Sequence, residues 1–224
     1  MSIVIGIEKE TKKRIHIKDY IDENVLCPDG HKLVAKKGCK RVHHYSHVGN
    51  VDCFYGSKGK TDFHLWWQSR IKPKYLEIRM ENHIADICIK GFVIEIQHSS
   101  IGKDQIKERE NFYGNMCWIF DGLETNFTEE AKFKNLVKFK IFGGKSDFLH
   151  ARKDVYIDKG VQGLYKILRK EKKNIWCKKI ALSKIDKVLF KNKLIPGADI
   201  RSDRPYFDLS NKATKDEIKN FIKT

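Results

Sequence analysis

Apolar and polar residues alternate along Ser2-Ile3-Val4-Ile5-Gly6-Ile7 and Arg14-Ile15-His16-Ile17, which predicts short half-buried strands at the start of the chain. After the Gly- and Lys-rich break Gly56-Ser57-Lys58-Gly59-Lys60 the pattern changes. A helix is expected from Thr61 or Asp62 through Ile71, capped by either residue and ended by Pro73. Three strands follow, Lys74 to Met80, Ile84 to Ile89 and Phe92 to His98, separated by Glu81-Asn82 and Lys90-Gly91. A helix from about Lys103 to Tyr113 then leads into Met116-Cys117-Trp118-Ile119-Phe120, an apolar run suited to a fully buried strand. Beyond Asn126, Val137 to Phe142 alternates like a strand, Leu164 to Lys170 and Ser183 to Phe190 carry helical spacing, and Thr214 with Glu217 resembles a capping box.

Tight hairpins at the two breaks would fix a register. If Ile89 faces Phe92, Asp86 falls opposite Glu95; if Met80 faces His83, Glu77 falls opposite Asp86. Gln97 shares the face of Glu95, while Leu76, Ile78, Met80, Ala85, Ile87, Ile89, Phe92, Ile94 and Ile96 point the other way. One face is core and the other is an acidic row. Carboxylates about 4.5 to 5.5 Å apart repel, yet they can share a hard divalent cation such as Mg2+ or Mn2+, and phosphodiester hydrolysis needs such an ion beside the phosphate. The competing reading has Lys103, Lys107 or Arg109 simply neutralising an exposed acidic row.

Charge directs this chemistry to a polyanion. The 224 residues hold 45 Lys and Arg against 29 Asp and Glu, a formal net charge of +16. Neutralising phosphates releases condensed counterions, so the expected partner is DNA, with RNA as the alternative. No run of about 18 apolar residues and no leader-like segment points to a membrane, and the reading is a soluble, cytoplasmic protein. Six cysteines in a chain this long read as thiols or metal ligands rather than disulfide staples.

Several segments resemble the competence protein CoiA-like family: Ala85-Asp86-Ile87, Val93-Ile94-Glu95-Ile96-Gln97-His98-Ser99-Ser100, Lys107-Glu108-Arg109-Glu110-Asn111-Phe112-Tyr113 and Trp118-Ile119. Upstream, Cys27-Pro28, the turn at Gly38 and His43-His44-Tyr45-Ser46-His47 resemble that family's amino-terminal block, and His64 resembles the His of its first core helix. The resemblance spans about Asp19 to Asp121 and leaves the Lys-rich tail uncovered. It implies a PD-(D/E)XK (restriction-endonuclease-like) α/β core, with Asp86 and Glu95 as metal ligands and Glu77 as a further or water-mediated one. Gln97 stands where the wider superfamily has Lys; an amide orients water but carries no charge, so a second cation or a Lys from the following helix must supply that term. His64 would contact phosphate or water, against the plainer reading of a structural His beside Trp66 and Trp67. Thr61-Asp62 departs from the pattern, which would have Glu near the helix start.

Cys27-Pro28-Asp29-Gly30-His31 has ligand-like spacing, and His47 and Cys53 can complete a structural zinc site. Cys39, His43 and His44 are alternative ligands; the plain reading is buried Cys and surface His. A rival takes His43-His44 through Asn50 as an HNH-like catalytic motif.

The tail beyond Asn126 holds 25 Lys and Arg against 12 Asp and Glu. Phe133, Phe139, Phe142, Tyr156, Tyr165 and Trp176 interleave with Lys138, Lys140, Arg169, Lys170, Lys172 and Lys173, as in a groove that follows a phosphate backbone, though the same aromatics also suit a small core. The expected organisation is a Cys/His-rich β module over residues 1–58, a nuclease core over 59–124 and a basic α+β nucleic-acid-binding module over 125–224. The expected function is metal-dependent DNA hydrolysis. A nucleic-acid-binding protein with a degenerate core is the alternative, and a protein that holds an acidic protein partner is a third.

Overall fold

The structure, a computed structural model, describes residues 3–20, 24–38, 43–53, 55 and 60–190. Ser2, Cys39, the break at 56–59 and the capping box at Thr214 and Glu217 lie outside them. Near the start, β1 (Ile5–Glu8) pairs with β2 (Arg14–His16) and β3 (Val25–Leu26), and β4 (Leu33–Lys36) pairs with β5 (His44–His47). The helix α1 (Asp62–Gln68) follows, shorter than expected because the chain turns before Pro73.

A mixed nine-stranded sheet organises the rest. The strands β6 (Leu76–Met80), β7 (His83–Ile89) and β8 (Phe92–Gln97) form an antiparallel meander at one edge; α2 (Lys103–Tyr113) crosses over, and β9 (Met116–Asp121) returns parallel to β8. The hairpin of β10 (Thr125–Phe133) and β11 (Leu136–Gly144) makes the other edge. The strand β12 (Asp154–Asp158) lies parallel beside β9, and β13 (Leu164–Glu171) and β14 (Asn174–Ile180) join it to β11. The sheet therefore runs unbroken past residue 124, the boundary expected from composition. A short helix α3 (Leu182–Ile185) and a π-helical turn through Phe190 follow, as the spacing predicts.

Every residue of β9 is buried, as befits a strand flanked by two parallel neighbours and covered on both faces. On one face Ile3, Ile5, Tyr45, Leu65 and Trp67 join Leu76, Ile87, Ile94 and Ile119. On the other, Ile106 and Phe148 join Val93, Trp118 and Phe120. The Trp67 indole donates to Asp158 Oδ2 at 3.1 Å, tying α1 to the end of β12. No described helix is long and apolar enough to cross a membrane.

Both hairpin registers are present. Ile89 pairs with Phe92 through Lys90 (φ 52) and Gly91 (φ 76), two left-handed residues as a type I′ turn requires, and Met80 pairs with His83. Two expectations need correction. Residues 164–170 form β13 rather than a helix: a β-bulge between Ile167 and Arg169 breaks the alternation, so Leu164, Ile167 and Leu168 mimic helical spacing. Ala85 and Met80 do not share the face of Ile87 but pack with Val93 and Trp118 on the other side. On β6 the change of face falls at Glu77, whose φ of 51 interrupts the alternation between Leu76 and Ile78.

Candidate active site and metal centre

A cleft of about 360 Å³ opens over the meander, lined among others by Lys60, His64, Glu77, Asp86, Glu95, Gln97, Arg109 and Tyr113. The sequence-predicted acids thus line one cleft, and they are buried rather than exposed, at 2% for Glu77, 9% for Asp86 and 1% for Glu95. The ladder from Ile89 and Phe92 leads to Asp86 and Glu95 as its next pair, where the Asp86 N–H donates to Glu95 Oε1 at 3.3 Å. The Ile96 N–H donates to Asp86 Oδ2 at 3.0 Å and Gln68 Nε2 to Asp86 Oδ1 at 3.2 Å. Gln68 itself was not anticipated, because a polar residue beside the buried Leu65, Trp66 and Trp67 of α1 reads as an ordinary interruption of the pattern.

Two cations answer the row. Lys60 Nζ lies 3.1 Å from Glu77 Oε1 and 3.0 Å from Asp86 Oδ1, and Arg109 donates to Glu95 Oε2. Arg109 is one of the expected neutralising residues, whereas Lys60 stood in a stretch read as a break. Burial pushes the Glu95 carboxyl up to about 7, with the Asp86 charge adding to the rise and Arg109 opposing it. Burial also works against ionisation of Asp86, but Lys60, His64 and the Ile96 amide outweigh it and hold that carboxyl below its ordinary value. His64 is pushed down to about 4, chiefly by desolvation against the pull of Asp86, so it is neutral at pH 7; its Nδ1 shares a 2.8 Å hydrogen bond with Thr61 Oγ1.

The Glu95 shift has a sign that can be measured. Its carboxyl titrates near 7 in the fold and near 4.5 in the unfolded chain, so between those values the folded state holds the extra proton and stability falls as pH rises. The gap is worth on the order of 3 kcal/mol. Urea unfolding in chelator at pH 5 and pH 8 is expected to show this loss in the wild type and not in Glu95→Gln. Parallel pH dependences in the two proteins would count against it.

Gln97 lines the cleft but gives its amide to Ser99 O at 2.6 Å. Lys103 and Lys107 are exposed on α2, Lys140, Lys172 and Lys173 are exposed on the basic strands and their turn, Lys138 pairs with Glu130 at 2.8 Å, and Arg169 pairs with Glu171 at 2.8 Å. Lys170 is the exception. Its half-buried ammonium donates to the carbonyls of Phe148, Leu149 and Ala151 at 2.8, 3.4 and 2.5 Å and so caps a turn.

The second cluster is Cys27, His31, His47 and Cys53. Among the described residues it is the one group of three or more His, Cys, Asp or Glu whose ligand atoms converge, all within 4.8 Å of one another. The turn Cys27–Gly30, closed by the Gly30 N–H to Cys27 O at 2.8 Å with Gly30 at φ 88, brings His31 back onto Cys27, while His47 ends β5. Cys27 Sγ lies 3.6 Å from Cys53 Sγ and 3.4 Å from His31 Nδ1. A tetrahedron with metal–sulfur bonds of about 2.3 Å and metal–nitrogen bonds of about 2.0 Å has edges of about 3.8 and 3.5 Å, close to both values. Both ring nitrogens of His47 are buried and find no hydrogen-bond partner among the described residues. The cluster can therefore hold a metal ion such as zinc. Of the alternatives, His43 is exposed, His44 is buried on β5, and no helix follows β5 through Cys53 as an HNH-like motif requires. No family model, curated protein or solved structure matches the chain.

Proposed function

We propose that the protein is a metal-dependent nuclease with a PD-(D/E)XK-type core that hydrolyses DNA. The observation that carries the reading is the buried row of Glu77, Asp86 and Glu95 under a polar cleft, in a chain of net charge +16. Three carboxylates in a low-dielectric wall are costly unless the site exists to handle cations. The order α1, β6, β7, β8, α2, β9 supports the core assignment.

The row suits Mg2+ or Mn2+. Its donors are hard oxygens, and Glu77 Oε2 is buried without a hydrogen-bond partner among the described residues. The Lys60 ammonium between Glu77 and Asp86 already marks a place where positive charge is stabilised. Glu77, Asp86 and Glu95 would hold the ion, which when bound supplies charge neutralisation on the scissile phosphate and a more nucleophilic water at neutral pH. Lys60 offers, within the same cleft, the charge that Gln97 lacks. Arg109 fixes the Glu95 carboxylate, and neutral His64 offers a hydrogen bond without a charge. Lys103 and Lys107 extend the cationic surface along α2 for the flanking backbone.

A second reading has one observation in its favour: Lys60 and Arg109 already neutralise the row, as they would in a non-catalytic nucleic-acid-binding protein with a degenerate core. Cleavage of plasmid DNA, single-stranded DNA and RNA by wild type and Glu95→Ala, with Mg2+, Mn2+ or chelator, separates the two. The nuclease reading expects metal-dependent cutting of DNA that falls at least about 100-fold in the variant, with binding retained. Tight, salt-dependent binding without cutting by the wild type would favour the second reading.

A further inference from the structure

The Cys/His centre and the acidic row lie close in sequence, since Cys53 precedes two residues of the cleft, Tyr55 and Lys60. Asp29, inside the Cys27–His31 turn, makes a second connection, with Oδ2 3.4 Å from Cys53 Sγ and Oδ1 3.2 Å from Arg79 Nη1 on β6. The strand that receives this contact is the one that carries Glu77.

β6 needs outside support. It is the edge of the nine-stranded sheet, so only β7 pairs with it along the ladder. It also holds Glu77 at φ 51, a conformation that persists in a non-glycine residue only where the surroundings over-determine it. The support comes from the amino-terminal strands: Arg14 Nη2 donates to Leu76 O at 2.5 Å, and the Val4 N–H reaches Glu77 Oε1 at 3.4 Å. Ile3, one residue away, is hydrogen-bonded in both directions to Tyr45 on β5, the strand that ends in His47.

We propose that Cys27, His31, His47 and Cys53 take one zinc ion, and that this ion positions the active site by fixing β6 with Glu77. Two thiolates and two imidazoles fill a tetrahedron and leave no open position, so the ion is structural rather than a reaction centre. Cys53, His47 and the Cys27–His31 turn approach from three separate segments, and a shared ion would tie all three together. The activity arm of this proposal rests on the nuclease reading; its exchange arm does not.

The experiment is metal analysis and hydrogen exchange on the full chain, as wild type, Cys53→Ser, Cys53→His and Asp29→Ala. One zinc per wild-type chain is expected, lost in Cys53→Ser and kept in Cys53→His and Asp29→Ala. In Cys53→Ser the amides of Leu76–Met80 should exchange at least about tenfold faster while Met116–Asp121 stays protected, and Cys53→His should restore protection. Asp29→Ala keeps its zinc and should still raise exchange in β6 severalfold, which tests the connection even if Cys53→Ser fails to fold. In the cleavage assay zinc loss should raise the Mg2+ concentration for half-maximal rate. A wild type without zinc, or a Cys27–Cys53 disulfide in its place, overturns the metal assignment. Zinc removal that leaves β6 protected, or that raises exchange equally in every strand, overturns the positioning role. Absence of cleavage with the exchange pattern intact would remove the nuclease reading and leave this one standing.

Discussion

Replacing Lys60 with methionine is expected to destabilise the metal-free protein by about 3–5 kcal/mol, the usual cost of removing one partner from a buried ion pair. Lys60 has 16% of its side chain exposed and lies against Glu77 and Asp86, which have 2% and 12%. Burial alone would lower the affinity of Lys60 for its proton, but the two carboxylates more than reverse that and raise it above the ordinary lysine value. Without the ammonium, Asp86 loses the strongest influence that keeps it ionised against burial. Methionine fills the stem but not the charge. A divalent cation should then restore what the ammonium supplied: at 100 times its dissociation constant, Mg2+ returns about 2.7 kcal/mol. The wild type should gain less, because Lys60 competes for the same oxygens. Urea unfolding at pH 7.5, with Mg2+ and with chelator, checks both halves. Equal stability of the two proteins in chelator would mean that Lys60 is not the counter-ion of the row.

Why Lys60 escaped the sequence while its partners did not follows from what each signal depends on. Asp86 and Glu95 were placed by counting outward from Lys90-Gly91, and that count holds because the turn is tight and both central residues are left-handed. The Cys/His centre was legible because ligand chemistry restricts which residues can converge. Lys60 lies in a stretch without hydrophobic period, and nothing local says which way such a lysine turns. Gln68 was hidden for a related reason: on α1 it sits in an otherwise apolar face, where a pattern reads it as an ordinary interruption. The misread β13 shows a different limit. One bulged residue converts a period of two into something close to a helical spacing, and only pairing with β12 and β14 resolves it. Lys170 looked like one more cation in a basic tail, because the carbonyls it caps lie on a turn about twenty residues earlier in the chain.

Glu110→Ala should match or exceed the loss at Lys60, about 3–5 kcal/mol, although Glu110 lines neither the cleft nor the metal centre. The helix that presents Arg109 to Glu95 is mostly polar, and its buried residues are Ile106 and Glu110, one turn apart. Glu110, 1% exposed, accepts from the Trp118 indole at 3.2 Å, from the Arg152 N–H at 2.8 Å and from the Lys153 N–H at 2.9 Å. One carboxylate thus fastens α2 to β9 and to the segment entering β12. Alanine leaves the buried Trp118 indole N–H and the two backbone N–H groups without this acceptor, and leaves Ile106 as the one fully buried side chain of the helix. Glutamine keeps the shape and one acceptor oxygen, and should lose about 1–3 kcal/mol. The two variants also differ at a distance, because Arg109 follows the helix: in Glu110→Ala the guanidinium should withdraw its support from Glu95, whose carboxyl then titrates still higher than in the wild type. Unfolding curves measure the first effect, and a carboxyl-resolved NMR titration of Glu95 measures the second. A Glu110→Ala protein with wild-type stability and an unmoved Glu95 would mean that α2 is held by something other than its buried carboxylate.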